Sequence, residues 1–272
     1  CLLAAAALAE ITLGENGQPR ATIVVARDVL GVAPSEKTLA TEQPRPVKVT
    51  AAAQDLQAYL QKITGARLPI AGDDQSTAGT LILVGRSKLT AKYDAKIPAG
   101  LTPTRDEEGY AILTDGNILV LAGNDEAPYH GTEYAVAFFL HKLGVRWYMP
   151  GDFGEVIPKR ATITVGDLAE VSRPDFKMRN WWGPIAPDLA PVEDRWMIRN
   201  GMNPLNRFIN TPGDSSIRKV LPPEKEKDNP AYAKVFARRP DGSIYPYMPN
   251  LTSEESVQYA ADKIKEAFRK DP

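Results

Sequence analysis

The chain has 272 residues, a formal net charge of -1 and 25% charged residues. This balance provides no excess of basic residues for nucleic acid or an anionic membrane surface, so neither is expected as a partner. A hydrophobic content of 43% is ordinary for a folded protein, and the length allows one or two domains.

The first nine residues differ from the rest of the chain. Residues 1–9 (CLLAAAALA) are apolar but too short to span a bilayer, which needs ~20 residues. Ala7-Leu8-Ala9 has the small-x-small form of a signal-peptidase site. We interpret residues 1–9 as the remnant of a signal peptide and expect a secreted or periplasmic protein without a membrane span. The alternative is an N-terminal helical turn of a cytosolic protein.

The pattern over residues 10–170 predicts an α/β or α+β module with a mixed sheet and two main helices. The run TLILV at residues 80–84 is continuously apolar, which is typical of a central strand. The predicted strands are residues 21–26, 68–71, 80–84, 109–114, 117–122, 145–149 and 161–165, and the predicted helices are residues 50–64 and a segment around residues 134–141.

The most informative stretch is residues 108–158. Asp115-Gly116 separates two apolar runs and predicts a type I′ hairpin turn, which requires positive φ at both central residues. The helix that follows is apolar on most sides and is therefore expected to be buried, with Gly144 at its C-terminal end. Its stripe consists of Tyr134, Ala137, Phe138 and His141.

Beyond residue 171 the composition shifts towards proline and aromatic residues. The pattern predicts strands at residues 176–182, 207–210 and 243–248, alternating with helices at residues 192–200 and 231–237. A last helix follows a capping box formed by Thr252 and Glu255. Repeated strand, loop and helix segments predict the first β/α units of an incomplete TIM-type barrel over residues 171–272.

Several stretches resemble known protein families. The runs LQAYLQKITGARLP at residues 56–69 and ILVG at residues 82–85, with the block at residues 129–158, resemble the alpha-glucuronidase N-terminal-domain-like module, which is related to the domain preceding the barrel in beta-N-acetylhexosaminidases. RPDFKMRNWW, DRWMIRNGMN and PNLTSEESVQYAADKIKEAF resemble an uncharacterised barrel domain of secreted bacterial proteins. The resemblance implies a non-catalytic module followed by a glycoside hydrolase-like barrel that acts on polysaccharide or oligosaccharide.

Acidic residues near the predicted strand ends are few. Glycoside hydrolysis needs two carboxyl groups ~5–9 Å apart, and barrels carry them at the C-terminal ends of strands. The candidates are Asp188, Glu193, Asp194 and Asp214, and helix N-termini or turn chemistry accounts for three of them, Glu193, Asp194 and Asp214, equally well. In related barrels the acids come from later strands, so we expect the catalytic pair beyond Pro272 and nominate no catalytic residue.

Residues suited to binding sugar are easier to name. Tryptophan faces stack on sugar rings, and arginine can hold a uronate carboxylate with two hydrogen bonds. Because side chains alternate along a strand, at most one of the two adjacent tryptophans is expected to contact ligand. The predicted substrate-binding residues are Arg179, Trp181, Trp182, Asn203, Asn210 and Asn250.

Other aromatic and histidine residues are expected to be structural. Trp196 and Arg199 are predicted to pack against the first module, and Trp147 and Tyr148 to be core or interdomain residues.

The two histidines, His130 and His141, do not form an HExxH motif, and no metal site or cofactor is predicted. Two functions stay open at this point: a glycoside hydrolase, and a non-catalytic carbohydrate-binding or surface protein with a degenerate barrel. The sugar, the linkage and the oligomeric state are not determined by the sequence.

Overall fold

The computed structural model describes residues 10–33, 43–75, 78–102, 107–181, 190–203 and 230–270. Helices and sheets are mixed along the chain, which confirms the predicted α/β or α+β class. The chain divides into two compact units, and the boundary lies between Pro204 and Leu205. The first unit therefore extends past the domain boundary that the sequence places at residue 171.

The first unit is built around one large sheet with helices on one side. Its elements are β1 (Ile11–Glu15), β2 (Gln18–Pro19), β3 (Ala21–Val25), α1 (Arg45–Thr64), β4 (Ile70–Gly72), β5 (Thr80–Val84), a 3-10 helix (Lys88–Lys96), β6 (Tyr110–Asp115), β7 (Ile118–Gly123), α2 (Gly131–Lys142), β8 (Arg146–Trp147), a 3-10 helix (Asp152–Gly154), β9 (Glu155–Val156), β10 (Thr162–Val165), β11 (Ala169–Ser172) and α3 (Ala190–Arg199).

The main sheet has six strands in the order β11-β6-β7-β5-β3-β4. β7, β5, β3 and β4 are parallel neighbours, whereas β11, β6 and β7 pair antiparallel. β5 lies between two parallel neighbours, as its continuous apolar sequence predicts. A separate three-stranded sheet, β10-β1-β2, joins the same core, and β8 pairs with β9 as a short hairpin.

Successive side chains of the central strands point to opposite faces of the sheet, and both faces are buried. Ile82 and Val84 lie in the larger core with α1 and α2, while Leu83 between them lies in the smaller core. The smaller core is covered by Tyr93 and Ile97 from the first 3-10 helix and its end. A strand buried on both faces needs apolar residues at every position, which explains the unbroken run TLILV.

Helix ends follow the predicted signals. Gly65 at the end of α1 has φ 80° and Gly144 after α2 has φ 96°, the left-handed conformation that glycine adopts readily. The amides of Gly144 and Val145 donate to the carbonyls of His141 and Leu140, which completes a Schellman motif. The predicted C-terminal end of α2 is confirmed.

The hairpin turn between β6 and β7 is shifted by one residue from its predicted place. Asp115 pairs with Ile118, so Gly116 and Asn117 are the two central residues. Gly116 has φ 60° and Asn117 does not have positive φ, so only the first central position needs glycine. This is the requirement of a type II′ turn, and the predicted type I′ turn at Asp115-Gly116 is wrong.

Residues 176–181 do not form the predicted barrel strand, and Trp182 lies outside the described residues. The amide of Arg179 donates to Oδ1 of Asn203 at 2.9 Å, and its carbonyl accepts from the Asn203 amide at 2.6 Å. These backbone groups are therefore bonded to the segment after α3 and not to a strand. The predicted strand at residues 207–210 also lies outside the described residues.

The sequence analysis did not predict one hairpin that the structure contains. β1 and β2 are joined by Asn16 (φ 48°) and Gly17 (φ 77°), both with the positive φ of a type I′ turn. Asn-Gly is a strong hairpin signal, and it was available in the sequence.

The described part of the second unit contains α4 (Pro230–Val235), β12 (Phe236–Arg238), β13 (Ile244–Pro249) and α5 (Glu254–Lys270). β12 and β13 pair antiparallel. The N-cap of α5 is Ser253, whose Oγ accepts from the Ser256 amide at 3.3 Å. The N-cap is thus one residue later than predicted, Thr252 instead bonds Oδ1 of Asn250, and the predicted capping box of Thr252 and Glu255 is wrong.

Candidate functional site

The segment that carries the predicted sugar-binding residues is attached to α2 through a buried carboxylate. Glu108 is 1% exposed and precedes β6. Arg179 Nη2 donates to Glu108 Oε2 at 3.0 Å, Asn203 Nδ2 donates to the same oxygen at 3.1 Å, and Tyr134 Oη donates to Oε1 at 3.1 Å. Two predicted binding residues, Arg179 and Asn203, are therefore brought together around one acid.

The guanidinium of Arg179 has further protein partners. Nε donates to the Gly201 carbonyl and Nη1 to the Phe176 carbonyl, each at 2.7 Å. Burial alone would lower the pKa of Arg179, but the nearby Tyr134 and Glu108 raise it above its ordinary value, so the side chain stays cationic. With these N–H groups bonded internally, Arg179 holds residues 173–181 and the residues that follow α3 against Glu108. Its contact with a uronate stays a prediction.

Trp181 is the predicted residue that offers a ring to solvent. Its side chain is 42% exposed and makes an edge contact with Trp196, with ring centroids 5.5 Å apart and an interplanar angle of 79°. Trp196 is in turn fixed by a 2.9 Å hydrogen bond from Nε1 to the Trp147 carbonyl. A half-exposed ring held by a buried one is a rigid surface for stacking. The predicted packing of Trp196 against the first module is confirmed.

Further exposed aromatic residues lie in the loop of the β8–β9 hairpin. Tyr148 is 69% exposed and Phe153 is 93% exposed. The loop approaches α3, since a Cβ at Gly151 would lie 4.0 Å from Val192. Trp147 is buried and Tyr148, the first residue after β8, is exposed, so Tyr148 is not a core residue and its alternative role as an interdomain residue stays a prediction.

We call Tyr148, Phe153, Trp181 and Val192 the α3 aromatic surface. Phe153 was not identified from sequence, because an aromatic residue in a short turn carries no periodic signal.

The remaining predicted binding residues lie elsewhere. Asn250 belongs to the second unit, where its Oδ1 accepts hydrogen bonds from the amide and hydroxyl of Thr252 and so forms a turn before α5. Trp182 and Asn210 lie outside the described residues, as do the acids Asp188 and Asp214.

The carboxylates near α3 are bonded to basic side chains. Asp55 of α1 bonds Arg195 and Arg199, the latter through two hydrogen bonds of 3.1 Å. Glu155 pairs with Lys62 at 2.8 Å and bonds the Tyr59 hydroxyl. Burial would raise the pKa of Glu155, but these partners outweigh it and lower the pKa. The predicted packing of Arg199 against the first module is confirmed.

Glu193 is the acid with an unusual environment. It is 9% exposed in the first turn of α3, and its Oε2 has no hydrogen-bond partner among the residues that the structure describes. Asp194 beside it is partly buried. Negative charge near a helix N-terminus is favourable, so the helix accounts for the presence of both acids.

A second cluster of buried polar side chains lies at the start of α2. Lys48 of α1 is fully buried and donates to the carbonyls of Asp125 and Tyr129 at 2.7 and 2.5 Å. Burial lowers the pKa of Lys48, opposed by Asp125, whose own pKa is raised by burial and moderated by hydrogen bonds from Thr132. Lys48 precedes the predicted helix of residues 50–64, so no periodic pattern placed this residue in the core.

Each histidine occupies a structural position on α2. Nδ1 of His130 lies 2.7 Å from Glu133, and His141 lies in the last turn between Phe138 and Trp147. Within the described ranges, no group of three or more His, Cys, Asp or Glu could hold a metal ion. No helix there is long and apolar enough to cross a membrane.

The fold and this surface define an α/β protein in which a mixed sheet and two helices support α3, with exposed aromatic residues at Trp181 and in the β8–β9 loop. No family model matches the chain, and no curated protein matches it.

Proposed function

We propose that this chain is a secreted carbohydrate-active protein of the glycoside hydrolase type, in which the described residues bind saccharide and do not supply the catalytic acids. The sequence resemblance to alpha-glucuronidase-like modules supports the class of protein. The α3 aromatic surface supports the role in binding.

The observation that carries this proposal is the environment of Trp181. The residue is 42% exposed although its ring makes an edge contact with the buried Trp196, which holds the ring in place. A rigid aromatic face gains contact area with a sugar ring at little cost in conformational entropy. The proposal rests on Trp181 more than on Arg179, because the N–H groups of Arg179 bond Glu108 and backbone carbonyls.

A β/α barrel after residue 171 belongs to the same proposal. β13 followed by the capped helix α5 has the strand-then-helix order of one barrel unit. Neighbouring barrel strands are parallel, whereas β12 pairs with β13 antiparallel. A barrel would therefore have to add its next parallel strand at the other edge of β13.

The second candidate is a carbohydrate-binding protein without hydrolytic activity. The ion pairs of Glu108, Asp55 and Glu155 favour it, because carboxylate oxygens that accept hydrogen bonds from Arg or Lys side chains are not placed to donate a proton to a leaving group. The two candidates share the binding surface and differ in turnover.

The test is a titration of the full chain with neutral and with uronic acid-bearing oligosaccharides, monitored by calorimetry. We expect Trp181→Ala to weaken binding by about 1–3 kcal/mol, because the apolar stacking area is lost. Tyr245→Ala, which removes an aromatic ring of 44% exposure in the second unit, serves as the matched control and should bind normally. Equal affinities of the wild type and Trp181→Ala would contradict the binding assignment.

Turnover of aryl glycosides by the same preparation tests whether the described residues catalyse hydrolysis as well as bind saccharide. We expect none, because the carboxylates Glu108, Asp55 and Glu155 are bonded to basic side chains. Measurable hydrolysis that survives purification to homogeneity would refute the assignment of these residues to binding alone.

A further inference from the structure

α5 has an apolar stripe that nothing in the described chain covers. Val257 is 61% exposed, Ile264 39% and Phe268 52%, and Ala261 on the same stripe is partly buried. Among the side chains of α5 whose burial is described, Ser256 is the buried one, and it lies on a different side of the helix. Tyr259, also off the stripe, packs against Val235 and Phe236, so the helix is attached to its own unit through that side.

The spacing of the stripe is that of a coiled-coil seam. Val257, Ala261, Ile264 and Phe268 are separated by four, three and four residues, which is the heptad spacing of alternate core positions. A helix of 17 residues is roughly 25 Å long, enough for such a seam of about two heptads.

If two copies of α5 pair along this seam, the charges of the helix distinguish a parallel from an antiparallel arrangement. Glu254 and Glu255 lie in the first turn, whereas the second half is net basic, with Lys263, Lys265, Arg269 and Lys270 against Asp262 and Glu266. A parallel pair would place Glu254 beside its own copy on the seam, where two carboxylates repel. An antiparallel pair places the acidic first turn beside the basic end of the partner helix, and it also aligns the opposite helix dipoles.

We propose that α5 is a self-association surface, on which two copies of this chain pair through antiparallel α5 helices about a two-fold axis. Val257 then packs against Phe268 of the partner subunit, and Ala261 against Ile264 of the partner subunit. Both contacts fit one two-fold axis, because residues 257 and 268 and residues 261 and 264 have the same midpoint, between residues 262 and 263. One short seam buries a small interface, so the dimer is weak and depends on concentration.

The first experiment is sedimentation velocity of the full chain over a concentration series. We expect the mass to rise from 29.7 kDa towards twice that value as the concentration increases. Ile264→Lys should keep the chain monomeric, because a charge on the seam would be desolvated. Glu266→Lys, which adds a lysine on the side of the helix opposite the seam, is the matched control and should dimerise as the wild type does. Circular dichroism verifies that both variants are folded.

The second experiment tests the direction of pairing. In a Cys1→Ser background, Val257→Cys and Phe268→Cys chains are mixed and oxidised. An antiparallel pair gives the mixed disulfide between the two variants, and neither variant alone forms a dimer through its new cysteine. A disulfide between two Val257→Cys chains would show parallel pairing and overturn the proposal.

A chain that stays monomeric at every concentration would overturn it as well, and would leave the stripe to a barrel sheet or another protein. A dimer that survives Ile264→Lys would place the interface elsewhere and would also refute the proposal.

Discussion

At the scale of single residues, the buried polar side chains of α2 have environments that the sequence pattern does not reveal. His141 lies in the last helical turn, as predicted, but its Nε2 is buried without a hydrogen-bond partner among the described residues. Its ring contacts are with Phe138 and Trp147. Burial, together with the nearby Arg146, lowers the pKa of His141 below its ordinary value of 6.5.

The lowered pKa of His141 predicts a loss of stability in acid. Between pH 6.5 and the lower pKa of the folded state, the unfolded chain binds more protons, so the free energy of unfolding falls as the pH falls. Urea unfolding of the wild type and His141→Phe at about pH 7.5 and about pH 5.5 measures this effect. We expect the variant to lose less stability on acidification. An identical loss in both chains would show that His141 is not the responsible group.

Gly131, at the start of α2, is required because there is no space for a side chain at this position. A Cβ on Gly131 would overlap the backbone nitrogen of Asn124 and the carbonyl oxygen of Gly109, so the backbones here are in direct contact. Neither neighbour is the flexible end of a side chain, and the clash cannot be relieved by a rotamer change.

At the scale of secondary-structure elements, this contact fixes how α2 docks on β7. We expect Gly131→Ala to lower the free energy of unfolding by about 3 kcal/mol or more, because the helix must move away from the strand. Gly166→Ala is the matched control, since a Cβ there meets nothing within 4 Å and its φ is not positive. Urea denaturation of both variants provides the comparison. A Gly131→Ala chain as stable as the control would contradict the docking.

Most errors of the sequence analysis concern where a helix or a turn begins or ends. α1 begins at Arg45, five residues before the predicted start, because prolines are tolerated in a first helical turn where their missing N–H is not needed. The turn after β6 and the cap of α5 each moved by one residue. Such shifts arise because neighbouring residues can supply the same turn or cap, and tertiary packing selects between them.

At the scale of the whole molecule, the first unit includes α3, which the sequence assigned to the second domain. Trp196, Met197 and Ile198 are buried in the large core, and Arg179 bonds Glu108 from the same segment. The shift in composition near residue 171 is real, but composition does not reveal which side of a boundary a helix packs against.

This arrangement predicts different outcomes for two shortened chains. A chain ending at Ser172 leaves Glu108 buried without Arg179 and exposes the core beneath α3, whereas a chain ending at Pro204 keeps both. We expect the shorter chain to be less stable by at least ~3 kcal/mol, the cost of leaving a buried charge unpaired. Thermal and urea unfolding of the two chains measure the difference. Equal stabilities would support a boundary at residue 171.

Local features of this protein could be predicted from the order of its residues. Continuous apolar runs predicted the parallel strands, the helical stripe of α2 predicted a buried helix, and Gly65 and Gly144 predicted the helix ends. These features depend on near neighbours in the chain, so near neighbours are enough to predict them.

Only the tertiary structure decided which distant side chains meet. Arg179 and Glu108 are 71 residues apart, and no local pattern encodes their ion pair. The same holds for the exposure of Tyr148 and the uncovered stripe of α5, because burial depends on what packs against a residue and not on its own hydrophobicity. The predicted barrel was inferred from alternating elements alone, whereas strand pairing is set by backbone hydrogen bonds between segments far apart in sequence.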